Sequence, residues 1–263
     1  MTQRHSSFTV DHGIATIKLN QPDSLNAFTG QMLREIHDAL IECNSSSEVK
    51  VILLTGSGRA FCSGQNLRER VQKPGDPPPN LGDSLRKKYV PIINAIRGSE
   101  KPVVCGVNGI AAGAGANLAL SCDLIVAKES AYFLQAFSRI GLMPDAGGTF
   151  FLTKTIGRQR ALGLSLLAEP LTARDAETLG LIWKCVSDDT FEDEISNLTA
   201  RLSKGPTLAY AKIKQAISAA DSSDLSEALE LECVLQTELG FSSDYKEGVD
   251  AFKEKRSPNF KGK

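Results

Sequence analysis

The sequence predicts an α/β fold, a mainly parallel sheet with covering helices, followed by a helix-rich C-terminal region. Three observations carry this expectation. Short β-branched or apolar runs at 49–54, 103–107, 123–127 and 132–134 alternate with helically spaced segments, which is the cadence of βαβ units. The 49–54 and 103–107 runs end in glycine-bearing turns, Thr55-Gly56-Ser57-Gly58 and Asn108-Gly109. From Thr153 onward the pattern is almost entirely helical.

The elements follow in order. Residues 8–10 and 14–19 flank Asp11-His12-Gly13 and predict a β-hairpin. NQPDSLNA is turn chemistry. Thr29 or Asn26 then caps a helix whose apolar positions Met32, Leu33, Ile36, Ala39, Leu40 and Cys43 share one face. Residues 49–54 form a buried strand, and FCSGQNL follows its turn. Pro74, Gly75, Asp76 and prolines 77, 78 and 79 make 71–81 an irregular loop, of a length often functional in a compact domain. A helix is expected over 83–96, a strand over 103–107, and another helix from Ala114. Strands at 123–127 and 132–134 precede helices at 161–167 and from Thr172, with Asp175 near the latter's positive end. A short strand is expected at 181–186. The remainder from Phe191 is helical, including a 225–240 segment with one apolar face.

The chain has 263 residues, 41% hydrophobic and 23% charged, which suffices for a real core. Net charge of −1 gives no reason to expect nucleic acid or a membrane surface as partner. No apolar run reaches the ~20 residues of a membrane helix, and MTQRHSSFTVDHG lacks a signal-peptide core. Cysteines 43, 62, 105, 122, 185 and 233 are scattered without metal-ligand spacing. Reduced, buried thiols in a cytoplasmic protein are expected.

Chemistry concentrates between Lys101 and Thr149. A strand that ends in Gly113, Ala114 and Gly115 and restarts as a helix exposes N–H groups at the helix's positive end. Such a junction binds an anion, or a carbonyl oxygen that becomes one. As a dinucleotide fingerprint the glycines fail, because Leu118 holds the place of the third. Tight strand–helix packing is the plain alternative. FCSGQNL is a second such junction, with the Gln65 N–H after Gly64 able to face the same cleft. Asp145, in MPDAGG, suits either a helix cap or a general base raised by burial. Cys62 has no activating neighbour, and all three histidines (5, 12 and 37) lie in the first 40 residues, which disfavours a Ser–His or Cys–His hydrolase. Arg86-Lys87-Lys88 is either a solvated face or a phosphate contact.

These segments resemble the crotonase (enoyl-CoA hydratase/isomerase) superfamily over essentially the whole chain. IKLNQPDSLNAF is similar to the first strand and loop, VILLTGSGRAFCSGQNL to the first oxyanion segment, KPVVCGVNGIAAGAGANLALSCDLIVA to the second, and EGVDAFKEKRSPNF to the C-terminal signature. AFSRIGLMPDAGGT, PPPNLGDS and KRSPNFKGK look most like the ring-1,2-epoxyphenylacetyl-CoA isomerases within it. The resemblance implies a crotonase-type spiral of ββα units at 1–200 holding the acyl-CoA site, with a helical oligomerisation region at 201–263. It further implies a homotrimer or dimer of trimers, an acyl-CoA thioester ligand, and no cofactor beyond the coenzyme A of the substrate.

Carried onto this sequence, the oxyanion donors are the backbone N–H groups of Gln65 and Ala114, and Asp145 is the working carboxylate. Ser24, Ser63, Gly64, Leu67, Asn117, Phe137, Leu142 and Lys255 are the substrate-binding candidates, with Lys255 for the nucleotide. The family's two hydratase glutamates map to Asn117 and Phe137, neither of which exchanges protons near neutral pH. Asp145 stands where hydratases commonly carry Gly. The resemblance thus implies isomerisation by proton transfer rather than hydration. Gln21 and Asp23 replace the family's common Arg and Lys near the first loop.

Overall fold

The computed structural model describes residues 4–71, 75 and 77–263. Positions 72–74 and 76 of the proline-rich loop expected at 71–81 lie outside the described residues. The chain opens with a hairpin, β1 (Ser6–Asp11) and β2 (Ile14–Leu19), paired antiparallel. Its turn places His12 at φ 47° and Gly13 at φ 80°, the left-handed pair that matches strand twist. Thr29 caps the helix Gly30–Ser45, accepting from the Met32 N–H.

Each following turn of the chain delivers one strand to each of two sheets and then a helix. β3 (Val51–Gly56) and β4 (Ala60–Cys62) lead into a helical run, Leu81–Ser84, Leu85–Tyr89 and Val90–Arg97. β5 (Val103–Val107) and β6 (Ile110–Ala112) lead into the helix Ala114–Leu120. β7 (Leu124–Lys128) and β8 (Tyr132–Leu134) lead into Gly148–Leu167, which Gly157 interrupts with non-helical dihedrals. β9 (Leu171–Thr172) and β10 (Lys184–Val186) complete the sheets. The larger sheet has the order β1-β2-β3-β5-β7-β10 and the smaller β4-β6-β8-β9. Among the described residues only β1 and β9 pair antiparallel, with β2 and β8. This is a spiral of ββα units, as the resemblance implies.

Burial explains the strand composition. Ile52 and Leu54 point one way from β3, into a core with Phe28, Met32, Ile36, Ile92 and Ile96. Val51 and Leu53 point the other way and meet Val104, Val126, Phe191 and Ile195. Both faces of the larger sheet are covered, so its central strands are apolar throughout.

The last helices behave differently. Thr207–Ala220 buries no side chain fully, and Leu225–Gly240 buries only Leu235. Ile213, Ile217, Leu225, Leu229, Phe241 and Phe252 are exposed. Among the described residues no helix is long and apolar enough to cross a membrane.

Candidate active site

β4 and β6 are neighbouring parallel strands, so their C-terminal turns open on the same edge of the smaller sheet. Gly64 holds φ 94°, and a Cβ there would lie 2.9 Å from the Ala112 carbonyl oxygen and 3.5 Å from the Ala114 amide nitrogen. Only glycine permits that approach. Gly115 is fixed likewise, since a Cβ would fall 2.5 Å from the Cys62 carbonyl oxygen.

Neighbouring backbone groups are paired. The Phe28 N–H donates to Gly64 at 2.7 Å, Asn66 to Phe28 at 3.0 Å, and Gly113 to Leu134 at 2.8 Å. Between them the N–H groups of Gln65 and Ala114 donate to no protein acceptor among the described residues. Ala114 opens its helix, where the first amides have no intrahelical partner. Two unused donors therefore sit side by side, as a developing oxyanion requires.

The third turn of the spiral supplies the carboxylate. After β8 the chain passes through a 3₁₀ turn, Ala136–Ile140, and returns Asp145 to the same cavity. Ala146 (φ 46°) and Gly147 (φ 85°) are both left-handed. For alanine that conformation costs roughly 1–2 kcal/mol, so the surroundings must enforce it. The Asp145 carbonyl oxygen accepts from the Gly148 N–H and from Asn117 Nδ2, each at 2.8 Å. Asn117 Oδ1 accepts in turn from Gln135 Nε2 at 2.8 Å.

The side chain of Asp145 caps nothing. The helix Gly148–Leu167 has no side-chain cap, and Asp145 Oδ1 is buried without a hydrogen-bond partner. Burial raises the carboxyl from its ordinary 3.8 to about 6, against a smaller lowering by the Arg70 charge. A carboxylate tuned toward neutrality, with one oxygen left unpartnered, is suited to accept a proton.

A cavity of about 500 Å³ holds these groups together. Ser63, Gly64, Gln65, Leu67, Ala114, Phe137, Leu142 and Asp145 line it, eight of the residues singled out from the sequence. Three others are not on its wall. Asn117 is fully buried behind Asp145 with both amide atoms bonded, so it positions the loop. Ser24 lies on the outer turn, its carbonyl accepting from Ser63 Oγ at 3.4 Å. Lys255 is the left-handed cap of the helix Ser243–Glu254, exposed and outside the lining.

Sequence reasoning missed Arg70, Ser84 and Tyr89, which also line the cavity. Tyr89 OH donates to Gln65 Oε1 at 2.6 Å, and Arg70 Nη2 donates to Ser84 Oγ at 2.8 Å and to Gln65 Oε1 at 3.4 Å. Burial pushes the Tyr89 hydroxyl pKa up, and the nearby Asp145 charge adds to it. Leu85–Tyr89 is a π turn, and that wider turn puts Ser84, Leu85 and Tyr89 on the cavity side. The one sequence signal was the Leu85/Tyr89 spacing on a shared helix face.

Groups considered for other chemistry are accounted for. Burial pushes the Cys62 thiol up to about 12, and it donates to the Asn26 carbonyl at 3.0 Å. No histidine lines the cavity. Arg86 and Lys87 pair with Asp83 on an exposed face.

Comparison with known proteins fits this geometry. The family model for enoyl-CoA hydratase/isomerase matches residues 9–263. The chain belongs to that family. A 1,2-epoxyphenylacetyl-CoA isomerase of Escherichia coli K12 is 44% identical over 97% of both chains. A Rhodobacter capsulatus protein named "Probable enoyl-CoA hydratase" is 46% identical, again over 97% of both. The crystal structure of an enoyl-CoA hydratase from Polaromonas sp. JS666 superposes with a TM-score of 0.88 at 30% identity, covering 97% of this chain and 99% of that one. This enzyme thus has hydratases and isomerases among its relatives, and the site must distinguish them.

Proposed function

We propose that this enzyme isomerises acyl-CoA thioesters by proton transfer, with an aromatic epoxide, as in 1,2-epoxyphenylacetyl-CoA, as its substrate. The observation that carries the proposal is the acid count. Asp145 is the sole carboxylate on the described cavity wall, and the residues to which the resemblance maps the two family glutamates are Phe137 on that wall and the fully buried Asn117. A hydratase needs two acids to position and deliver water; one acid in a cavity with two unused amides is enough to move a proton.

In this mechanism the thioester oxygen docks between the Gln65 and Ala114 N–H groups. Asp145 removes a proton from the α-carbon, charge moves onto the thioester oxygen, and the two fixed donors stabilise the enolate. The carboxylic acid then returns the proton to another carbon. For the aryl epoxide, the bond shared by the two rings opens to give a seven-membered oxepin. No atom enters or leaves. Phe137 and Leu142 form an apolar wall that excludes water able to add to the unsaturated product.

Coenzyme A enters only as part of the substrate, with Lys255 reaching its nucleotide from a neighbouring segment or subunit. The exposed apolar residues of the last helices pack in a homotrimer or dimer of trimers, which analytical ultracentrifugation would register. The functional test is a substrate comparison. Turnover should be highest on 1,2-epoxyphenylacetyl-CoA, measurable on a 3-enoyl-CoA, and negligible for hydration of crotonyl-CoA. Efficient crotonyl-CoA hydration would overturn the proposal.

A further inference from the structure

Among the described residues, six side chains on the cavity wall carry an N–H or O–H group: Ser63, Gln65, Arg70, Ser84, Tyr89 and Arg139. Most are committed to the protein. Ser63 Oγ donates to the Ser24 carbonyl at 3.4 Å. Gln65 Nε2 donates to the carbonyls of Phe28 and Asn66, at 3.1 and 3.3 Å. The Tyr89 hydroxyl donates to Gln65, and Ser84 offers its oxygen to Arg70. Arg139 is exposed and donates to the Ala168 carbonyl.

Arg70 differs. It is half-buried, and only its Nη2 is engaged, by Ser84 and Gln65. Its Nε and Nη1 meet no acceptor among the described residues. Arg70 and Asp145 line the same cavity and form no ion pair among the described residues. The Ser84 and Gln65 bonds engage the guanidinium on the Tyr89 side of the cavity instead. A planar fork with unused N–H groups on the wall of that cavity will take an oxygen acceptor.

We propose that Arg70 binds an oxygen atom carried on the acyl group itself, turning the ring so that the α-carbon faces Asp145 and selecting oxygen-bearing acyl-CoA thioesters over hydrocarbon ones. This rests on the acyl-CoA assignment above and specifies what the substrate must carry. Arg70 thereby becomes a specificity determinant, distinct from the thioester-oxygen donors.

Calorimetric affinities of two thioesters test it, 2-hydroxyphenylacetyl-CoA and phenylacetyl-CoA, which differ by one ring oxygen. The wild type should bind the hydroxylated ligand roughly tenfold or more tightly, the effect of one charge-assisted hydrogen bond. Arg70→Met should abolish that preference. Arg70→Lys, which keeps the charge without the fork, should retain only a fraction of it and serves as the test if the Met variant does not fold. Equal weakening of both ligands would mean that Arg70 merely positions Gln65, and would overturn the proposal. So would the absence of any preference in the wild type. The readout is separate from turnover. Failure to isomerise 1,2-epoxyphenylacetyl-CoA with the preference intact would sink the functional assignment and leave Arg70's role standing.

Discussion

The cavity has two unlike walls. On one, the turns after β4 and β6 present backbone amides, and the residues are dictated by space. Gly64 and Gly115 are glycine because a Cβ would strike Ala112 or Cys62, and the side chains of Gln65 and Ala114 contribute little to the donors themselves. On the other wall the side chains carry the chemistry. Asp145 is a carboxylate with one unpartnered oxygen, Arg70 a partly engaged cation, and Phe137 an apolar cover. In the proposed mechanism the first wall is complementary to any thioester. The second decides what happens to it. In the proposed mechanism, change on the second wall redirects the reaction without altering how the thioester is held.

Substitutions can break that contrast, beginning with the largest effect. Asp145→Asn keeps size and removes the base, and should lower isomerase turnover by ~10³ or more in steady-state assays. A folded variant with near wild-type turnover would show that the second wall does not hold the base. Gly64→Ala strikes the backbone wall, and displacing one oxyanion donor should lower turnover by about 10²–10³. Unlike Asp145→Asn it should also lower the melting temperature, since φ 94° and a 2.9 Å clash strain the fold.

Asn117→Ala sharpens the comparison by loosening the charged wall from behind. Loss of its bonds to the Asp145 carbonyl and Gln135 should cost about 1–3 kcal/mol of stability in chemical denaturation. Turnover should fall by roughly tenfold, as expected when a supporting contact is lost. The smallest effect concerns pH. The Asp145 carboxyl sits at about 6 in the folded protein and 3.8 in the reference state. The folded protein thus binds more protons between those values, and stability falls as pH rises through that window. Asp145→Asn should therefore gain about 1–2 kcal/mol at pH 7, discounted for solvent screening, and nothing below about pH 4.

Much of the fold was legible because its signals are local. The hairpin turn, the Thr29 cap, the strands at 103–107 and 132–134, and the helix from Ala114 rest on period, turn chemistry and capping within a few residues. Other elements needed tertiary context. The helix expected at 161–167 starts at Gly148, since its first half is stabilised by burying Phe151, Leu152 and Ile156 rather than by propensity. The strand expected at 181–186 shrinks to Lys184–Val186, the residues that pair in register with β7, with Trp183 adding a single bond to Ile125. In the site, the glycine turns and Asp145 stood out through their own chemistry. Arg70 and Tyr89 did not, because their roles depend on a π turn and on Gln65, contacts between segments that no local pattern encodes. Asn117 was legible as a position but not as a support, which only its bonds to Asp145 and Gln135 disclose.

The central claim is that Asp145 alone moves a proton at the carbon next to the thioester. Deuterium incorporation into phenylacetyl-CoA in heavy water, followed by mass spectrometry, measures that step without net turnover. The wild type should exchange its α-protons, with a rate that rises through an apparent pKa of about 6, and Asp145→Asn should show only background exchange. Wild-type exchange rates in the folded Asn variant, or a rate insensitive to pH between 5 and 7, the range about 1 unit either side of that pKa, would contradict it.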